Sequence, residues 1–89
     1  MKVEFLSSFS KDLDRLNDSE IQSTVAGIIL HCERASSLKE IPHIKKLKGF
    51  KNAYRIRVRE YRIGFYFENG VIEFARLLNR KDIYRSFPN

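Results

Sequence analysis

Eighty-nine residues make one domain, 1–89, with room for a single modest core. A hydrophobic share of 43% excludes a disordered tail, and no apolar run approaches the ~20 residues of a membrane span. The net charge of +6 is divided unevenly: residues 1–36 hold four Lys/Arg against six Asp/Glu, a balance of −2, and residues 37–89 hold thirteen against five, a balance of +8. That asymmetry points the basic half at a polyanion or an acidic protein.

One cysteine, Cys32, excludes an internal disulfide and a cysteine-based metal site, and two histidines, His31 and His43, are too far apart for a ligand pair at helical spacing. No metal or other cofactor is expected. The N-terminus carries no signal-peptide core, which predicts a cytoplasmic protein.

In chain order, the apolar run Lys2 to Leu6 predicts a strand. Ser7, Ser8 and Ser10 then offer N-cap hydroxyls to a helix whose apolar stripe is Phe9, Leu13 and Leu16. Asp12 and Asp14 sit early in it, where the helix dipole favours carboxylates. Asn17, three residues before Glu20, resembles a capping box for a second helix. Ile21, Val25, Ile28, Ile29 and Cys32 continue that helix, which should end near Ala35-Ser36-Ser37. The short link predicts a helical hairpin.

Residues 37–53 read as polar and irregular, with Pro42 barring a helix interior and Gly49 permitting a turn. Lys45, Lys46, Lys48 and Lys51 crowd into this stretch. Two strands of period two follow. Tyr54, Ile56 and Val58 alternate with Arg55, Arg57 and Arg59; after Glu60, Tyr61, Ile63, Phe65 and Phe67 alternate with Arg62, Gly64, Tyr66 and Glu68. Asn69-Gly70 is a strong hairpin signal. Val71 to Leu78 is apolar on both faces and so predicts a strand covered on both sides, in which Arg76 must reach an edge or find a partner. Arg80 to Phe87 predicts a short helix ended by Pro88. The sum is an α+β fold, β-α-α-β-β-β, with an antiparallel sheet, the helical hairpin on its apolar face, the first strand on an edge, a short C-terminal helix and an open arginine face.

That face is the candidate site. Exposed strands commonly carry Lys and Arg for solubility, which is reason enough for Lys39 and Lys81. It does not account for Arg55, Arg57, Arg59 and Arg62, because like charges side by side on a sheet repel. Arginine outnumbers lysine seven to one from Arg55 to Arg85, and its planar fork binds phosphate bidentately. The reading is a phosphate-gripping plate to which Lys45, Lys46, Lys48, Lys51, Arg59, Arg76 and Lys81 add RNA contacts. Tyr66, on the same face, either stacks on a base or makes a cross-strand contact. Tyr54 and Tyr61 belong to the core. Tyr84, one helical turn after Arg80, is a phenol that can accept or orient a proton. His43, after Pro42, could reach a ligand but reads more simply as a surface-loop histidine, and His31 as partly packed.

No Ser-His-Asp set, glycine-rich phosphate loop or carboxylate pair is present in the sequence. Chemistry that runs on positioning and charge stabilisation fits what remains. RNA cleavage is of that kind, because the 2′-hydroxyl beside the scissile phosphate is the nucleophile.

The segments Leu47-Lys48-Gly49, Tyr54-Arg55-Ile56-Arg57-Val58, Tyr61-Arg62, Asn69-Gly70-Val71 and Asn79-Arg80-Lys81-Asp82-Ile83-Tyr84 resemble the RelE/ParE superfamily of toxins, RelE-like branch, over about half the chain. The resemblance implies a toxin of a type II toxin–antitoxin pair, bound by a cognate acidic antitoxin. RelE-like members cut mRNA in the ribosomal A site and ParE-like members poison DNA gyrase. Arg55, Arg57, Arg62, Arg80 and Tyr84 match the positions that serve catalysis in RelE-like enzymes, which favours a ribosome-dependent mRNA endoribonuclease. A gyrase inhibitor and an inactive antitoxin-binding relative are the alternatives. Asn79 replaces the histidine that many relatives carry before the closing arginine, and Lys45 stands where some have a glutamate base. Proton transfer is thereby left to arginines, which carry it poorly, and to Tyr84.

Overall fold

The alternating segments pair into one sheet, and what covers its two faces decides where the charged side chains emerge. The structure, a computed structural model, describes residues 1–88. Its elements are β1 (Lys2–Phe5), α1 (Ser7–Arg15), α2 (Ser19–Arg34), β2 (Ile44–Lys46), β3 (Ala53–Val58), β4 (Tyr61–Glu68), β5 (Val71–Asn79) and α3 (Ile83–Ser86), with a short 3-10 turn at Leu38–Glu40. The five-stranded sheet runs β1-β5-β4-β3-β2. β1 lies on an edge, parallel to β5, and the other neighbours are antiparallel.

The expected meander is present as β3, β4 and β5. Asn69 (φ 52°) and Gly70 (φ 76°) both adopt the left-handed conformation that a two-residue type I′ turn requires. The stretch 37–53, expected to be irregular, contributes the edge strand β2, with Ile44 opposite Ile56 and Lys45 opposite Arg55. Three residues with a single apolar side chain carry too little alternation to be read from sequence.

The helix caps also differ from expectation. None of the serines caps α1; Leu6 is its N-cap, and the Ser8 hydroxyl donates instead to the Ala75 carbonyl at 2.6 Å. Asp18, not Asn17, caps α2, accepting from the Glu20 and Ile21 amides at 3.1 Å.

α1 and α2 cover one face of the sheet. Phe9, Ile21, Val25 and Cys32 meet Ile56, Ile63, Phe65, Ile72, Phe74 and Leu77 in the main core. Burial of each large side chain contributes about 1.5–3 kcal/mol. Asp12 is not at the helix start but buried at the α1–β5 contact. Its carboxylate accepts from Arg76 Nε at 2.8 Å, Arg76 Nη2 at 3.1 Å and the Leu77 amide at 2.9 Å. A bulge makes this possible: Phe65 faces Phe74 but Gly64 faces Arg76, so Ala75 is an extra residue in β5. Hydrogen bonding to Asp12 raises the Arg76 pKa, against the opposing effect of burial.

The second face was expected to be open, and part of it is not. Ala53, Gly64 and Ala75 leave a depression into which the C-terminal segment places Ile83 and Phe87. A Cβ on Gly64 would lie 2.6 Å from the Phe87 ring, so only glycine admits this seat.

Two outcomes are expected. Asp12→Ala strands Arg76 and the Leu77 amide and lowers unfolding free energy in urea by about 3 kcal/mol. Gly64→Ala ejects Phe87 and costs about 1–3 kcal/mol, measured the same way.

Candidate nucleic-acid interface

The uncovered remainder of the second face carries the arginines. Arg57 on β3 lies directly opposite Arg62 on β4, and Arg55 faces Gly64, beside the Phe87 seat. Like-charged pairs in this register oppose folding, so other contacts must hold the side chains in place. Arg62 Nη1 donates to the Arg59 and Tyr61 carbonyls, both at 2.8 Å, and Arg55 Nη1 donates to the His43 carbonyl at 2.7 Å. Arg80 enters from beyond β5. Its amide donates to the Glu60 carbonyl at 2.8 Å and its guanidinium meets the Glu60 carboxylate at 3.1 Å. That ion pair is exposed, worth at most about 1 kcal/mol, and within reach of a competing phosphate.

Arg62 is the centre of this field. Burial lowers its pKa, the positive charges of Arg55, Arg57 and Arg80 act in the same direction, and Tyr84 opposes them. All five residues expected to be catalytic therefore lie in one electrostatic neighbourhood. Tyr84 is 58% exposed on α3, with its phenol available to a ligand.

The expected RNA-binding residues divide. Lys45 shares the plate face, opposite Arg55. Lys48 and Lys51 are exposed in the loop around Gly49 (φ 84°), and Lys81 is exposed in the turn before α3, where its amide is held by Asn79 Oδ1 at 3.0 Å. Lys46 lies across from Tyr54, on the core side of the sheet, and donates to the Phe50 carbonyl at 2.7 Å. Arg59 is in the β3–β4 turn, with φ 55°, and pairs with Glu20 of α2. Arg76 faces Asp12 on the helix side. The Tyr66 ring packs against Phe87 with centroids 5.0 Å apart, a contact made to the residue that follows α3 and not to a neighbouring strand.

One residue joins the site against expectation. His43, in a left-handed conformation (φ 61°), accepts through its carbonyl from the Arg57 amide at 3.2 Å as well as from Arg55. Its ring Nδ1 lies 3.3 Å from Arg57 Nη2. Sequence spacing gives no sign of this, since the contact exists only because β2 pairs with β3.

Cys32 has no place in the site. It is buried among the core residues, and burial pushes its thiol up to about 11. Among the described residues, no group of three or more His, Cys, Asp or Glu is placed to hold a metal ion, and no helix is long and apolar enough to cross a membrane.

No family model matches the chain. Individual proteins do. Toxin RelE3 of Methanocaldococcus jannaschii is 44% identical over 89 residues, covering 99% of this chain and 100% of that protein. The RelB–RelE antitoxin–toxin complex from Methanococcus jannaschii contains a chain that superposes with a TM-score of 0.82 at 41% identity, covering 96% of this chain and 99% of that one. The archaeal RelE–RelB complex from Pyrococcus horikoshii shares the fold, with a TM-score of 0.71 at 21% identity over 92% of this chain and 97% of that one.

A plate of mutually repelling guanidinium groups predicts stabilisation by oxyanions. At matched ionic strength, inorganic phosphate should raise the melting temperature above its value in chloride. Arg57→Ala should remove most of that difference, as read by thermal denaturation.

Proposed function

The chain belongs to the RelE toxin family, and from that premise we propose that it is the toxin of a type II toxin–antitoxin pair that cleaves mRNA on the ribosome without a metal. The observation that carries the reading is the convergence of Arg55, Arg57, Arg80 and Tyr84 on Arg62. In the reaction, the 2′-oxygen attacks the adjacent phosphorus as its proton leaves, the bond to the 5′-oxygen breaks, and that oxygen takes up a proton. The products are a 2′,3′-cyclic phosphate and a 5′-hydroxyl. Phosphorus passes through a pentacoordinate dianion, and Arg55, Arg57, Arg62 and Arg80 supply the positive charge that stabilises it. Tyr84, beside Arg62, handles or orients a proton at one of the reacting oxygens.

Lys45, Lys48, Lys51 and Lys81 extend the basic surface along the flanking RNA, where their contribution is a salt-dependent attraction to phosphates. The relatives crystallised with antitoxins support an acidic antitoxin as the partner that neutralises this surface. The protein would act in the cytoplasm, where its substrate is.

Primer extension on a reporter mRNA in a reconstituted translation reaction tests the proposal. Wild-type protein should cut at A-site codons only while ribosomes translate. Arg80→Ala should cut at least about 100-fold more slowly, as expected for loss of one transition-state donor, with stability within about 0.5 kcal/mol of wild type. Intact mRNA with wild-type protein, together with DNA damage in expressing cells, would assign the protein to gyrase inhibition instead.

A further inference from the structure

The mechanism above leaves one requirement open. A proton must leave the 2′-oxygen, yet the groups at the centre of the plate are guanidiniums, which do not give up their charge in proteins. Imidazole is the side chain whose ordinary charge change falls between about pH 5 and 8. One imidazole stands at the plate. His43 is fixed by its backbone, through the carbonyl that accepts from Arg55 Nη1 at 2.7 Å and the Arg57 amide at 3.2 Å, so the ring is delivered to the β2 side of the arginines. Its Nδ1 then lies 3.3 Å from Arg57 Nη2. A guanidinium has no acceptor, so Arg57 donates and Nδ1 holds a lone pair there.

We propose that His43 is the general base of the cleavage reaction, taking the 2′-hydroxyl proton on Nδ1. The inference rests on the nuclease reading. In the free protein the lone pair is occupied by Arg57. A phosphate seated across Arg57 and Arg62, which face each other on adjacent strands, draws the Arg57 guanidinium to itself and frees Nδ1 beside the reacting group. The attacking and leaving oxygens sit on opposite sides of the phosphorus, in line. His43 stands on the β2 side of that phosphate, and Tyr84 is carried by α3, which packs against β5. The arrangement supplies proton handling at both ends: His43 receives from the 2′-oxygen, and the Tyr84 phenol donates to the 5′-oxygen as its bond to phosphorus breaks.

The charged and titratable groups around His43 are Arg55 and Arg57 from β3, Lys45 two residues on in β2, and His31 of α2, which lines the same cavity of about 180 Å³. His31 is held separately, with Nε2 at 2.9 Å from the Glu40 carbonyl. It provides a matched control.

The test is single-turnover cleavage of reporter mRNA on translating ribosomes, from pH 5 to 9, by wild type, His43→Asn and His31→Asn. Asparagine tolerates the left-handed backbone at position 43. Should it lower the melting temperature, His43→Gln takes its place. A base must be unprotonated, so the wild-type rate should fall toward acidic pH. His43→Asn should lose at least about 100-fold and that acidic limb, whereas His31→Asn keeps both rate and limb. An RNA with sulfur in place of the leaving 5′-oxygen separates the two ends of the reaction, because a thiolate leaves without a proton. His43→Asn should stay slow on it. Restored cleavage of that RNA, or an undiminished rate on ordinary RNA, overturns the assignment while the nuclease reading stands. Wild-type protein that leaves mRNA intact overturns both.

Discussion

The carboxylate of Asp12 holds the architecture together at the point where helix, sheet and site meet. It is almost fully buried and accepts three hydrogen bonds, two from Arg76 and one from the Leu77 amide. A buried carboxylate is tolerated only when paired and saturated in this way. The Leu77 amide is directed to it by the bulge at Ala75, and the Ala75 carbonyl in turn accepts from Ser8 of α1. One irregularity in β5 thus docks the first helix on one face of the sheet. On the other face the same bulge presents Ala75 beside Gly64 and Ala53, forming the seat for Ile83 and Phe87. Tyr84 lies between those two anchors, so its position over the arginines traces back to the packing of α1 on the far side of the sheet.

Arginines that repel one another are tolerable because each is tied to backbone or to a replaceable partner. Arg55 and Arg62 donate to carbonyls, which bring no compensating charge. Arg80 alone has a carboxylate, the exposed Glu60. By contrast Arg76, which the sequence pattern placed with the plate, is paired to the buried Asp12 of α1 and serves cohesion, while Arg59 meets Glu20 of α2 in an exposed ion pair. A saturated arginine is structural, and an arginine with spare donors is available to a ligand; the distinction depends on three-dimensional partners rather than on the residue type.

What could be read in advance follows from the range of the signals. Alternation from Tyr54 to Phe67 correctly divided two strands into core and plate faces, and Asn69-Gly70 located the hairpin, because both are local properties of the chain. The long apolar stripe of α2 was legible for the same reason. The Asp12–Arg76 pair joins residues 64 positions apart, and no pattern marks it. The Phe87 seat needs small residues from three strands at once, Ala53, Gly64 and Ala75, each unremarked in its own segment. Strand β2 is too short for periodicity, and with it the sequence hid the approach of His43 to Arg57. The candidate catalytic set came from a resemblance to a family and from clustered charge, and the fold brings its members together around Arg62. Lys46, Arg59 and Arg76 lie off the plate face, because not every basic residue near the strands projects from the same side.

The electrostatics of the plate also bear on why it would catalyse rather than merely bind. A phosphodiester in its ground state carries one negative charge, and the pentacoordinate state carries two. A site holding four guanidiniums against a single exposed carboxylate has more positive charge than the ground state can neutralise, so its attraction grows as the phosphorus gains charge. The cost of assembling that excess is met in advance by folding, through the backbone ties that fix Arg55 and Arg62 and through the core beneath them. Rigid central strands carry the charge stabilisation, whereas the groups suited to proton transfer sit on the peripheral elements, His43 ahead of the three-residue β2 and Tyr84 on the four-residue α3. In the proposed reaction His43 and Tyr84 would then serve the reacting oxygens from the two sides of a field already in place.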